Sequence, residues 1–128
     1  RHIRKVRLPF EPSVLALEGG VAALEDQEHM RRGLAMNQTE KVRVMQGLRE
    51  LGFEPVRSAG NFLMVPCDTA NAMELLLEQM VQRGIIVRGL KAFGLPNAFR
   101  VTIGTPNENT AFLNTLSEVL STTDGLGS

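Results

Sequence analysis

The chain has 128 residues, a length that suits one domain and lets the fold bury roughly two thirds of the surface that the unfolded chain exposes. Lysine plus arginine and aspartate plus glutamate number 14 each, and tryptophan and tyrosine are absent. This composition excludes the basic surface and the base-stacking rings of a nucleic-acid-binding protein and gives an anionic membrane nothing to attract. No apolar run approaches the ~20 residues of a membrane span.

Cysteine usage and the first residues bear on the cellular compartment. Cys67 is the single cysteine, so it forms no internal disulfide, and no neighbouring cysteine or histidine completes a metal cage. We interpret it as a small apolar residue at a strand end, as suits a reducing cytoplasm. The basic start, Arg1 to Lys5, leads to no signal-type apolar core. We therefore expect a cytoplasmic protein without a membrane partner.

Residues 1–52 read as a basic extended lead and two helices. The two prolines around Glu11 prevent an earlier helix start, and an apolar stripe from Val14 to Leu24 then predicts the first helix. Asp26 is placed to cap a second, longer helix that ends near Leu51, before Gly52. The middle of that helix, residues 37–43, is polar.

Residues 53–120 change to an alternation of strands and helices. The apolar run at 61–66 predicts a strand buried on both faces, and a helix capped by Thr69 or Asn71 follows and ends at Gly84. Strands are predicted at 85–88 and 99–104, the last of them antiparallel between or beside the other two. Thr105 and Glu108 enclose Pro106 as a capping box that starts the final helix, and residues 121–128 form a small polar tail.

The predicted fold class is α+β. Two leading helices precede a β-α-β-β-α unit whose small mixed sheet is covered by helices, and residues 1–128 form a single domain. Such units occur in enzymes and in small-molecule sensors alike, so the fold alone does not assign a function.

Two arginines carry the best functional signal. Arg88 ends one predicted strand and Arg100 begins the next, so an antiparallel pairing brings both to one edge of the sheet. A guanidinium is planar and permanently charged and bonds a carboxylate or phosphate through two N–H groups. A lone strand arginine is more often a solvated or ion-paired residue, but two at one edge indicate an anion site.

Residues for covalent chemistry are not recognisable in the pattern. His2 and His29 have no serine or cysteine partner at a known spacing, and the acidic residues are scattered singly. Lys5 and Lys41 lie in charged stretches and Lys91 in a loop, so no lysine is an obvious desolvated nucleophile. The chain alone is predicted to contain no catalytic residue and no metal site.

Four segments in order resemble the C-terminal part of a histidinol-phosphate aminotransferase, a pyridoxal-phosphate-dependent aminotransferase of fold type I. They read RKVRLPF at 4–10, SAGNF at 58–62, GIIVR at 84–88 and LPNAFRVTIGTPNEN at 95–109. The resemblance implies the small lobe of a transaminase that moves an amino group between an amino acid or amino-alcohol phosphate and a 2-oxo acid. It also implies that Arg100 binds the substrate α-carboxylate and that Arg88 helps hold a distal phosphate.

The same resemblance implies what this chain lacks. The Schiff-base lysine, the partner of the pyridine nitrogen and most phosphate-binding groups belong to a larger N-terminal domain, so pyridoxal phosphate is expected in the full-length enzyme and not on this fragment. A homodimer is also implied. Alternatives are the lobe of an aromatic amino-acid aminotransferase, a stand-alone amino-acid-binding regulatory module, and a scaffold that oligomerises through helix 26–51.

Overall fold

The computed structural model describes residues 12–124; the basic lead, with the first of the four motifs, and residues 125–128 lie outside this range. The secondary-structure elements follow in chain order: α1 (Val14–Glu25), α2 (Gln27–Glu50), β1 (Phe62–Pro66), α3 (Ala70–Gln82), β2 (Arg88–Gly89), a short 3₁₀ helix (Lys91–Phe93), β3 (Ala98–Thr102) and α4 (Pro106–Asp124). The chain contacts divide it into two compact units, with the boundary between Ala35 and Met36. No helix within 12–124 is long and apolar enough to cross a membrane.

The first unit contains α1 and the start of α2. The Ser13 hydroxyl accepts from the Ala16 N–H at 3.2 Å and caps α1. The Asp26 carboxylate accepts from the His29 N–H at 2.9 Å and caps α2, which confirms the predicted cap. The apolar stripe of α1 is present, but none of its residues is buried, and Leu15 is 84% exposed.

The second unit is built on a three-stranded sheet in the order β1-β3-β2. β3 runs antiparallel to both neighbours and lies between them, which confirms one of the two predicted arrangements. Both pairings are antiparallel, so the expected mixed sheet is antiparallel throughout. The α+β class with helices beside a small sheet is confirmed.

The strands are shorter than predicted on the β2 side. β2 comprises only Arg88 and Gly89, whereas the sequence predicts a strand from Ile85. The Ile85 N–H donates to the Met80 carbonyl at 3.0 Å, so this backbone is bonded to the end of α3. The ladder with β3 therefore begins only at Arg88.

The predicted burial of β1 on both faces is wrong. Leu63 and Val65 are fully buried, whereas Phe62 is 38% exposed. Leu63 pairs with Val101 and Val65 with Phe99, so these four side chains share one face of the sheet. The core lies on this face, where α2, α3 and α4 add their buried residues.

The helix ends follow the predicted signals. The Thr69 hydroxyl accepts from the Ala72 N–H at 3.1 Å and caps α3. Gly52 and Gly84 follow α2 and α3 with φ of 87° and 82°, the left-handed conformation that glycine adopts without a steric penalty. At the start of α4 the Glu108 carboxylate accepts from the Thr105 N–H at 2.7 Å, which confirms the capping box.

Candidate functional site: an arginine pair at the sheet edge

Arg88 and Arg100 are direct cross-strand partners in the β2–β3 ladder. Directly opposed residues of an antiparallel pair project from the same face of the sheet, so the two guanidinium groups stand on one face. Met64 of β1 is the other partner of Arg100, so this row lies opposite the face that carries Leu63 and Val65. The predicted juxtaposition of the two arginines is therefore present, on the sheet face away from the core.

Each guanidinium lies over an aromatic ring. The Arg100 Cζ is 5.2 Å from the centroid of Phe62, and the Arg88 Cζ is 5.6 Å from the centroid of Phe93. These are cation–π distances. Neither contact uses an N–H acceptor oxygen, so both guanidinium groups keep donors for an anion.

Neither arginine has an acidic partner among residues 12–124: no hydrogen bond or ion pair joins either guanidinium to that part of the chain. Arg88 is exposed and Arg100 is half-buried. Like charges directly opposed on a sheet destabilise it. An anion bound between the two side chains would remove that repulsion, and each fork offers a carboxylate or phosphate two parallel bonds.

A pocket of about 730 Å³ opens beside the pair. It exists because β2 begins only at Arg88 and leaves the later residues of β3 without a strand on that side. Both arginines line it, and its wall includes Gly104, Glu108 and Asn109 at the start of α4. We call this space the arginine pocket. Its volume is that of a small-molecule site.

The turn between β3 and α4 is held by a buried carboxylate that the sequence analysis missed. Glu40 of α2 is only 5% exposed, although residues 37–43 read as a polar surface. Its Oε2 accepts from Asn109 Nδ2 at 2.7 Å and from Arg43 Nη2 at 2.6 Å. The spacing contained a signal, because Glu40 precedes the buried Val44 and Leu48 at four-residue intervals and so lies on their face of the helix.

The bonds around Glu40 hold it in its charged form. Hydrogen bonds from Arg43 and then from Asn109 lower the pKa of this carboxyl below its usual value of about 4.5, against the opposing effect of burial. Glu108 behaves similarly, because the Thr105 backbone N–H and hydroxyl donate to it and lower its pKa.

We expect the hydrogen-bonded carboxyl of Glu40 to make the stability of the chain pH-dependent. A carboxyl whose pKa is lowered by folding contributes stability that is complete above its unfolded pKa, near 4.5, and is lost as the pH falls through the folded value. Glu40→Gln should therefore flatten the loss of melting temperature below about pH 4.5. Glu50→Gln, an exposed position on the same helix, is the control and should keep the wild-type slope. Identical acid profiles for Glu40→Gln and wild type would contradict the assignment.

The remaining reactive groups are poorly suited to nucleophilic chemistry. Burial raises the pKa of the Cys67 thiol to about 11, so the thiolate is scarce at neutral pH. Lys41 Nζ donates to the Gly60 carbonyl at 3.0 Å, and Lys91 Nζ to Glu74 at 2.8 Å. Across the described range no three acidic, histidine or cysteine residues are grouped to hold a metal.

Comparison with known proteins shows the family of this chain. The model of aminotransferase class I and II matches residues 1–116. The chain is 40% identical over 125 residues to histidinol-phosphate aminotransferase 2 of Nitrosospira multiformis, covering 96% of this chain and 31% of that protein. It is 41% identical over 118 residues to the histidinol-phosphate aminotransferase of Akkermansia muciniphila, covering 92% and 32%. The chain thus spans about a third of these relatives, in their C-terminal part.

A solved structure gives the same result for the fold. The crystal structure of histidinol-phosphate aminotransferase from Sinorhizobium meliloti in complex with pyridoxal 5′-phosphate superposes with a TM-score of 0.80 at 24% identity. The match covers 94% of this chain and 34% of that one. At this identity the likeness concerns the fold, while the family model and the relatives carry the assignment. The chain belongs to the class I and II aminotransferase family.

Proposed function

We propose that this chain is the substrate-binding C-terminal lobe of a pyridoxal-phosphate-dependent aminotransferase of the histidinol-phosphate type. The full enzyme would move an amino group between an amino acid or amino-alcohol phosphate and a 2-oxo acid. The observation that carries the proposal is the cross-strand pair Arg88–Arg100: both arginines line one pocket, and neither guanidinium has an acidic partner in residues 12–124. The relatives named above support the choice of substrate class.

The two arginines take different roles in this proposal. Arg100 is half-buried in the middle strand, where flanking strands on both sides fix its backbone, so it suits the α-carboxylate that every amino-acid substrate shares. Arg88 is exposed on the edge strand, so it suits a distal group that varies between substrates, such as a phosphate. Arg88 is exposed and Arg100 half-buried, so closure of a larger domain over the pair would exclude water from both contacts.

The two lysines among residues 12–124, Lys41 and Lys91, do not fit the covalent attachment of the cofactor. Pyridoxal phosphate supplies the electron sink for amino transfer, and it is bound through an unprotonated lysine. The hydrogen bond to Glu74 raises the pKa of Lys91 and keeps it charged, and Lys41 is bonded to a backbone carbonyl. We therefore assign cofactor binding to the rest of the enzyme.

A covalent-labelling experiment tests that assignment. When the chain is incubated with pyridoxal phosphate at stoichiometric concentration and reduced with borohydride, its intact mass should stay unchanged. A full-length enzyme that carries this chain should gain one reduced cofactor under the same conditions. A stoichiometric mass increase located to a single lysine of the chain would contradict the assignment.

The activity itself is tested in that full-length enzyme. We expect histidinol phosphate to give a higher kcat/KM than phenylalanine with the same 2-oxo acid, because only the phosphate donor engages Arg88. A preference for the aromatic amino acid would instead support an aromatic aminotransferase.

We place the enzyme in the cytoplasm, where the single Cys67 would stay reduced.

A homodimer is part of the proposal, and α1 supports it. A helix with no buried residue and exposed Leu15, Leu17 and Val21 presents an apolar surface of the kind that drives association. The isolated chain should therefore gain weight-average mass as its concentration rises in light scattering. Leu15→Lys should reduce that gain, whereas Glu18→Gln on the same exposed helix should not. A chain that stays strictly monomeric at high concentration would count against association through α1.

A further inference from the structure

Three polar residues meet at the turn that precedes α4. Glu40, Arg43 and Asn109 form one hydrogen-bonded group, which we call the Glu40 cluster. Glu40 and Asn109 are 5% and 2% exposed, and every buried side-chain polar atom of the described residues has a partner. The cluster therefore joins α2 to α4 through a fully bonded polar contact in an otherwise apolar interior.

The cluster holds the turn backbone on both sides. Asn109 Oδ1 accepts from the Gly104 N–H at 2.9 Å, while its Nδ2 donates to the Gly104 carbonyl at 2.9 Å. Arg43 Nη2 donates to the Pro106 carbonyl at 2.8 Å. The turn is also tightly packed, since a Cβ at Gly104 would lie 2.7 Å from Glu108 Oε2. Gly104 and Asn109 line the arginine pocket, so these bonds fix one of its walls.

Glu40 reinforces the orientation that the Gly104 backbone gives the Asn109 amide. A carboxylate only accepts, so it requires the amide nitrogen on its side and leaves the amide oxygen for the Gly104 N–H. A leucine at position 40 would continue the apolar stripe of Val44 and Leu48, but it would leave Arg43 and one N–H of Asn109 without their acceptor, and removal of one partner of a buried polar pair is destabilising. The Gly104 backbone alone would then hold the amide. The Glu40 carboxylate therefore supplies the turn with a hydrogen-bond acceptor that an apolar side chain could not supply.

We propose that Glu40 and Asn109 are positioning residues for substrate binding, which fix the wall of the arginine pocket at the distance that lets Arg88 and Arg100 engage the substrate together. They touch no substrate themselves. The inference rests on the proposed function of the arginines. It adds that Glu40 of α2, remote from both arginines in sequence, holds a wall of the pocket that they line.

The test uses the full-length enzyme and four variants. Glu40→Gln keeps the shape but removes the charge and replaces one accepting oxygen with a donating NH₂ group, and Asn109→Asp places two carboxylates against each other. Each should lower kcat/KM for the phosphate donor by about ten- to a hundredfold, mostly through KM, because a small misplacement of a binding wall is costly.

The double variant and a core variant make this test specific. When both substitutions are combined, the amide introduced at position 40 can donate to one oxygen of the carboxylate introduced at position 109, while the other oxygen accepts from the Gly104 N–H. Part of the loss should therefore be recovered. Leu48→Ala is the control, since it weakens the core on the same helix without touching the turn.

All measurements are made well below the melting temperature of each variant. If Glu40→Gln and Asn109→Asp change KM no more than Leu48→Ala does, or if the double variant recovers nothing, the cluster is only structural and the inference is wrong. Should Asn109→Asp fail to fold, Arg43→Lys, at a side chain 39% exposed, removes the fork that bonds Pro106 and should raise KM in the same way.

The arginines separate this inference from the proposed function. If Arg100→Ala is severely impaired while the cluster variants bind substrate normally, the positioning role alone fails. If Arg100→Ala itself behaves as wild type, the proposed function fails as well.

Discussion

Replacement of Arg100 by alanine in the full-length enzyme is expected to lower kcat/KM by about a hundred- to several-thousandfold for every amino donor. The substrate α-carboxylate would lose its charged partner in a closed, water-excluded site, and removal of one partner of such a pair costs roughly 3–5 kcal/mol. Steady-state kinetics on an anionic and a neutral donor give the measurement. The loss should be similar for both, because both carry the α-carboxylate.

Two further variants make the Arg100 result specific. Arg100→Lys keeps the charge but loses the planar fork, so it should recover only a part of the lost efficiency. Arg57→Ala removes another exposed arginine that does not line the arginine pocket and should leave the kinetics unchanged. Near-normal efficiency of Arg100→Ala on all donors would mean that this arginine is structural.

Replacement of Arg88 by alanine should act selectively. If Arg88 holds a distal phosphate, kcat/KM for histidinol phosphate should fall by about ten- to a hundredfold, since charged hydrogen bonds of this kind contribute roughly 1.5–3 kcal/mol. Amino donors with neutral side chains should be largely unaffected. The comparison of Arg88→Ala and Arg100→Ala against both donors forms a two-by-two test. An equal loss for both donors in Arg88→Ala would assign Arg88 to the sheet edge or to the α-carboxylate instead.

The arginine pair could be predicted because it depends on local signals. The loop between Gly89 and Ala98 is short and broken by glycine and proline, which favours pairing of the flanking strands as neighbours, and the observed register places Arg88 opposite Arg100. The capping box of α4 is equally local, because Thr105 and Glu108 are bonded within one turn. Signals of this kind need no knowledge of the tertiary structure.

The wrong or missing predictions concern features that depend on tertiary contacts. The apolar run of β1 suggested burial on two faces, but helices of the second unit add their buried residues on the face of Leu63 and Val65, and Phe62 on the other face lies under Arg100 instead. Glu40 was missed because its polarity matched the residues around it. Its partner Asn109 is 69 residues away, a separation that no periodicity reveals.

The stacking of the two guanidinium groups on Phe62 and Phe93 also has a consequence for the entropy of binding. A mobile arginine loses rotamer freedom when it binds an anion, and immobilising such a side chain costs about 0.5–1.5 kcal/mol. Here each guanidinium already contacts a ring before any ligand arrives, so part of that loss belongs to folding. The anion then meets two side chains that already have a packing partner, and more of the charge attraction remains as affinity.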